Sequence, residues 1–331
     1  MVSPGTHDGD SQRPISRQAL QPLLQRSNTR AVSILLGNWA LVVGPMALLA
    51  WQPSPLTFVL ALVLVAGRQL GLAILMHECA HGVFFESRAQ NRNLGRWLCA
   101  APILTDLDAY RAYHLEHHRK AGTDGDPDYP NYRYFPVSRA SLRRKITRDL
   151  LGITGIKNLY GVILMYGGVL DYDLSYKPKD RHRVSAAQFV RNLLGNLYRP
   201  LVLHGIAMAL LALSDLLWLY GVWWLAFLTL FSVFSRLRNA AEHGAVPDLL
   251  DADPRKHTRT VLPRWWERLT VAPNFVNFHL EHHLLPSVPC YRLAALHRKL
   301  ADSGYLENVR VPDGYAAVIR ELVNGQASPA H

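Results

Sequence analysis

Residues 56–81 read LTFVLALVLVAGRQLGLAILMHECAH, an apolar run that ends on two histidines four positions apart. About 20 apolar helical residues cross a ~30 Å hydrocarbon core. The stretch therefore predicts a membrane helix that delivers His77 and His81 to one bilayer surface. Positions i and i+4 of a helix lie one turn apart on the same face, so both imidazoles point the same way. Arg68 and Gln69 sit within the run, about two turns before His77. A buried arginine in a membrane helix is costly and takes a partner. Both residues are candidates for a structural clamp or a substrate contact.

Outward from this run, Ala31–Trp51 is a second apolar stretch, separated from the first by Gln52-Pro53-Ser54-Pro55. Pro200–Tyr220 predicts a third span, Gly221 a tight turn and residues 222–238 a fourth. Neither connecting loop contains lysine or arginine, whereas the N-terminal segment, Arg139–Arg148, Arg236 and Arg238 are basic. Because positive charge stays on the cytoplasmic side, both hairpins are expected to open to the cytoplasm, with both termini there. Segments 94–106 and 159–170 are apolar but too short to span, and are expected at the interface. Trp265 and Trp266, set among Arg264, Glu267 and Arg268, read as a further interfacial piece.

The whole chain fits this picture. Of its 331 residues 49% are apolar, and its formal charge is +11, a balance expected of membrane helices joined to a sizeable water-facing part. The charge suits anionic lipid or an acidic protein partner, while the apolar segments argue against nucleic acid. Cys79, Cys99 and Cys290 are odd in number and show no CxxC spacing, so neither a disulfide framework nor a zinc knuckle is suggested. Residues 1–30 are polar, carry Arg13, Arg17, Arg26 and Arg30, and lack the apolar core of a cleaved signal. They are expected to form a cytoplasmic tail before a domain over 31–305, with 306–331 a second cytoplasmic tail.

Nine of the fifteen histidines fall in four short segments. These are His77-Glu78-Cys79-Ala80-His81, His114-Leu115-Glu116-His117-His118, Asn239-Ala240-Ala241-Glu242-His243 and His279-Leu280-Glu281-His282-His283. The topology above brings all four to one membrane face, although it was drawn without them. Neutral imidazole suits zinc, copper and iron alike. Nine donors exceed what one tetrahedral zinc needs and fit two ions with open positions.

An HxxxH box, two HxxHH boxes and a late NxxxH segment, in this order over roughly residues 30–300, resemble the membrane fatty acid desaturase superfamily. The resemblance implies an all-α integral membrane fold: four transmembrane helices in two hairpins, topped by a cytoplasmic helical cap that holds two irons. Carried over motif by motif, it implies His77, His81, His114, His117, His118, His243, His279, His282 and His283 as ligands, with Asn239 reaching one iron through water. The three intervening residues of the first box differ from the four of acyl-CoA desaturases and match acyl-lipid and bacterial relatives. The implied setting is a bacterial inner membrane.

With two irons and O2, such a site removes hydrogen from unactivated methylene groups. Desaturation of an acyl chain is the first expectation. Hydroxylation, oxidative decarboxylation to a terminal alkene, and desaturation of an amino-acid-derived chain use a similar site. Glu78, Glu116, Glu242 and Glu281 adjoin box histidines, and Asp124, Asp126 and Asp128 follow the second box; all are candidates to orient imidazoles. No fused haem segment, CxxC…CxxC pattern or GxGxxG is present. The two electrons are therefore expected from a separate, ferredoxin-like donor. One rival is a membrane zinc protease, since residues 77–81 also match HExxH, but it leaves seven box histidines unused. Another is a non-catalytic scaffold with a relic site.

Overall fold

The computed structural model describes residues 14–175 and 180–324. Among these residues the chain is helical, with only the isolated bridges Thr260–Phe278 and Leu262–Asp313 in extended pairing. The α-helices run α1 Arg17–Leu24, α2 Asn28–Trp51, α3 Pro55–His81, α4 Arg88–Leu94, α5 Leu107–Lys120, α6 Tyr129–Tyr132, α7 Arg139–Leu150 and α8 Ile153–Tyr166. They continue with α9 Ala186–Leu213, α10 Trp218–Leu228, α11 Leu230–His243, α12 Pro254–His257, α13 His279–Leu284, α14 Cys290–Asp302 and α15 Tyr315–Asn324. Four stretches are long and apolar enough to cross a membrane: α2, α3, α9, and α10 with α11 taken together.

Helix α3 is the hub, and its ends are well specified. Ser54 and Thr57 form a reciprocal capping box with Pro55 at the first helical position, and Gly82 closes the helix in the left-handed conformation. From Val65 to Ala80 nearly every side chain is buried. Two glycines one turn apart let neighbours approach its backbone. A Cβ on Gly67 would lie 2.2 Å from the Leu269 carbonyl oxygen, and one on Gly71 would lie 2.0 Å from Asn38 Oδ1.

Polar side chains pin these close approaches. Asn38 of α2 donates to the Arg68 carbonyl at 3.1 Å, and Asn274 donates to the Gly71 carbonyl at 2.9 Å. Asn274 and Phe275 hold positive φ values of 53° and 66°, a region where asparagine is several-fold enriched. The loop that leads into the third histidine box is thereby tied to α3. On the far side of the bundle, the buried Asp149 of α7 takes Arg236 of α11 in a two-point ion pair at 2.5 and 2.9 Å.

The structure shifts several expected boundaries. The third long helix begins at Ala186, not at residue 200, because Asn192 and Asn196 donate to the Gly167 and Tyr166 carbonyls at the end of α8. The next turn is Ser214–Leu217, with Asp215 at φ 56°, whereas Gly221 lies inside α10. Thr229 (φ −112°, ψ −89°) then divides α10 from α11. Segment 94–106 is a π-helical turn, Gly95–Ala100, followed by a 3-10 turn. Residues 17–24, expected within a polar tail, form a helix whose Leu23 is buried, with Leu20 and Leu24 packed against the cluster that includes Leu293 and Leu296 of α14. Within the expected C-terminal tail, α15 buries Val318 and Leu322. Residues 1–13 and 325–331 of the two expected tails lie outside the described ones.

Gly67→Val forces a branched side chain against the Leu269 carbonyl. It is expected to destabilise by about 1–3 kcal/mol, read as a lower midpoint in thermal unfolding of detergent-solubilised protein. Gly37→Val, at a position with open space around its Cβ, should leave the midpoint in place.

Candidate metal centre

Each histidine box contributes to the site according to its helical angle. His77 and His81, on the last turns of α3, join His114 and His118 of α5 and His282 of α13 in one group of five. His117 of α5, His243 of α11, and His279 and His283 of α13 form a second group of four. Within each group the ligand-capable atoms all lie within 4.8 Å of one another. Each HxxHH box is thus split, with two imidazoles four residues apart serving one group and the remaining one serving the other. The groups adjoin, the rings of His118 and His283 being 4.4 Å apart between centroids.

The hydrogen-bond chemistry tests whether metal ions belong here. His243 Nδ1 lies 2.9 Å from the His257 carbonyl oxygen, and His117 Nδ1 lies 2.8 Å from Asp126 Oδ1. A carbonyl or carboxylate oxygen accepts, so each Nδ1 carries the proton and each Nε2 a lone pair. His77 Nδ1 faces Glu78 Oε1 at 3.2 Å, and His279 Nδ1 faces Glu242 Oε1 at 3.5 Å. The Nε2 atoms turn inward upon one another. In the first group His81–His114, His114–His118 and His118–His282 are separated by 2.9, 3.0 and 3.0 Å. In the second, His243–His279, His279–His283 and His117–His283 are separated by 2.9, 3.1 and 3.3 Å. Imidazole nitrogens gathered at this density fit a cation at the centre of each group.

Electrostatics agree. Burial first, and then the neighbouring imidazoles, hold His114, His279, His282 and His283 well below the ordinary histidine range. His118 is pushed down to about 2. Neutral imidazole is the form that ligates. His117 runs the other way: burial acts to lower it, but the hydrogen bond to Asp126 and the charge of Asp128 carry it upward.

The carboxylates divide by what they touch. Asp126 also takes the Tyr132 hydroxyl, whose ring stacks on His243 at 4.6 Å, and Asp128 accepts from Tyr113 at 2.7 Å. Glu78 accepts from the Cys290 backbone N–H at 2.8 Å as well as facing His77. Glu242 pairs with Arg238, and Glu281 accepts from His297 Nδ1 at 2.5 Å and from the Thr260 hydroxyl. Glu116 instead pairs with Arg119 and Lys120, and Asp124 is exposed. Asn239 is exposed, bonded to Arg238 and outside both groups. Arg68 donates to the Arg268 carbonyl and Gln69 to the Trp223 carbonyl, both at 2.9 Å, which gives them the clamp geometry. Tyr132, Thr260 and His297 carry no signal in spacing, because their partners are distant in sequence or not histidines.

The chain joins four membrane-length helices to two packed polyhistidine groups borne by α3, α5, α11 and α13. The profile of the family described as "Fatty acid desaturase" matches residues 53–313. The chain belongs to this family and is an oxidoreductase. It is 27% identical over 277 residues to the dihydrorhizobitoxine desaturase of Bradyrhizobium elkanii, covering 80% of this chain and 76% of that protein. It is 23% identical over 324 residues to the sn-1 oleoyl-lipid 12-desaturase of a Synechocystis strain, covering 91% and 87%. A β-carotene ketolase of a Paracoccus strain is 26% identical over 242 residues, covering 70% and 75%.

Asp126→Asn removes the carboxylate that fixes the His117 ring. Loss of such a partner costs about 10–100-fold in metal affinity, so chelator competition should show the second group releasing its ion that much more readily. Unchanged affinity would count against the assigned role.

Proposed function

We propose that the protein is an O2-dependent di-iron desaturase that introduces a double bond into an acyl chain. The observation that carries this reading is the packing of nine imidazoles into adjoining groups of five and four with their Nε2 atoms inward. His77, His81, His114, His118 and His282 would hold one iron, and His117, His243, His279 and His283 the other. Held there, an iron pair would supply the O2 chemistry that takes hydrogen from an unactivated methylene group. In the net reaction the chain loses two hydrogens, and O2 leaves as two waters after taking up two further protons and two electrons.

The chain's own residues do the remaining work. A narrow crevice reaches both groups, touching His77 and His282 of one and His279 of the other, between Ile74, Phe275, Val276 and Leu293. Asp126, Glu78 and the His257 carbonyl hold imidazole tautomers with Nε2 free. An HExxH protease reading gives no task to His114, His118 and His282, and it leaves Glu78 committed to Cys290 and His77.

The setting follows from the same features. The turns at 52–54 and 214–217 carry no lysine or arginine, while α7 exposes Arg139, Arg143, Arg144 and Arg148. We place the four long helices in a bacterial inner membrane as two hairpins, with both termini and the helical cap in the cytoplasm. With α1 and α15 packed on it, the domain extends beyond the expected 31–305 to about residues 17–324. A separate acidic, ferredoxin-like donor would dock on the basic cap. A second reading, oxygen insertion to give an alcohol, is favoured by the likeness to a β-carotene ketolase.

Lipids and free acids from cells expressing the wild type or His282→Ala can be compared by mass spectrometry. A new double bond, lost in the variant, is expected; an alcohol supports the second reading, and identical profiles overturn both. Reversing Arg143 and Arg144 to glutamate should slow turnover with an acidic donor at least about tenfold at low salt, with the difference shrinking as ionic strength rises.

A further inference from the structure

Beside the group of four stands another imidazole that no box motif contains. His257 is the last residue of α12 and is 4% exposed. Its Nδ1 lies 2.8 Å from the Asp251 carbonyl oxygen. Since that oxygen only accepts, Nδ1 carries the proton and Nε2 a lone pair. That Nε2 is buried and has no hydrogen-bond partner among the described residues, a costly state for a polar atom. The ring meets His283 edge to face, with centroids 5.8 Å apart and planes at 79°. The cluster whose ligand atoms all lie within 4.8 Å of one another comprises His117, His243, His279 and His283, and His257 stands at its edge against His283.

The surroundings hold this imidazole firmly. Gly122, at φ +81° just past α5, packs so closely that a Cβ there would lie 2.3 Å from the Asp251 oxygen. The carbonyl that orients His257 is therefore wedged against the end of the helix that supplies His117. The carbonyl of His257 itself takes the Nδ1 proton of His243 at 2.9 Å. Asn239, to which the resemblance would give a water-mediated contact here, is exposed and bonded to Arg238.

We propose that His257 is a further nitrogen ligand of the metal held by His117, His243, His279 and His283, giving this group five imidazoles like its neighbour. The proposal rests on the two-metal reading of the site and concerns how the second ion is held. His257→Asn provides a clean probe: its amide nitrogen can keep the Nδ1-type hydrogen bond to Asp251 while the Nε2 donor is lost. A merely structural role would survive that change.

The test is reconstitution of wild type, His257→Asn, His257→Ala and His182→Ala with isotopic iron in detergent. His182 is an exposed residue paired with Asp171 and serves as the control. Iron per chain, chelator competition and Mössbauer spectra are recorded on fractions that are monodisperse in gel filtration. Wild type and His182→Ala are expected to hold two irons. His257→Asn should hold its second iron at least about tenfold more weakly, with one quadrupole doublet altered and the other unchanged. Two irons of unaltered affinity and spectrum in His257→Asn overturn the ligand assignment and leave the two-metal reading standing. A wild type that takes up fewer than two irons overturns both.

Discussion

Nine imidazoles are packed with their ring nitrogens turned upon one another, and the rest of the protein is organised to enforce that arrangement. Four helices arrive from separate parts of the chain: α3 with two of the clustered histidines, α5 with three, α11 with one and α13 with three. Each must stop at the same depth and present a fixed angle. The outward nitrogens of His77, His117, His243 and His279 are held or faced by Glu78, Asp126, a backbone carbonyl and Glu242. The inner arrangement is therefore imposed from outside by these contacts.

That enforcement depends on α3. Its glycine-lined face admits α2 and the 269–274 loop to within backbone contact, and Asn38 and Asn274 convert that closeness into hydrogen bonds. Asn274 sits only a few residues before His279, so a tie to the membrane-length hub becomes a constraint on the third box. The ion pair between Asp149 and Arg236 does the same for α11, fixing the helix on which His243 rides. Packing and metal geometry are thus carried by the same contacts.

Much of the site is legible in the sequence because it is written at helical spacing. His77 and His81, or His279 and His283, announce a shared face by their separation alone, and apolar length announces the spans. Partners set by tertiary contact are not legible. Nothing around His257 marks it, since its surroundings come from Asp251, His283 and the loop at Gly122. Tyr132 and His297 are hidden for the same reason. The turn expected at Gly221 falls instead at Ser214–Leu217, because glycine in an apolar helix is tolerated whereas Ser214 and Asp215 supply turn chemistry. Helix α1 is short and polar on average, and only its contact with α14 reveals it.

Helix α3 runs unbroken for 27 residues from its Pro55 start to His81, a rod of roughly 40 Å at 1.5 Å per residue. Its capped end and its metal-binding end are thereby held at a constant separation. Set in a bilayer whose hydrocarbon layer is nearer ~30 Å, such a strut works as a depth gauge. The height of the reactive centre above the lipid tails is then fixed by protein length rather than by the lipid.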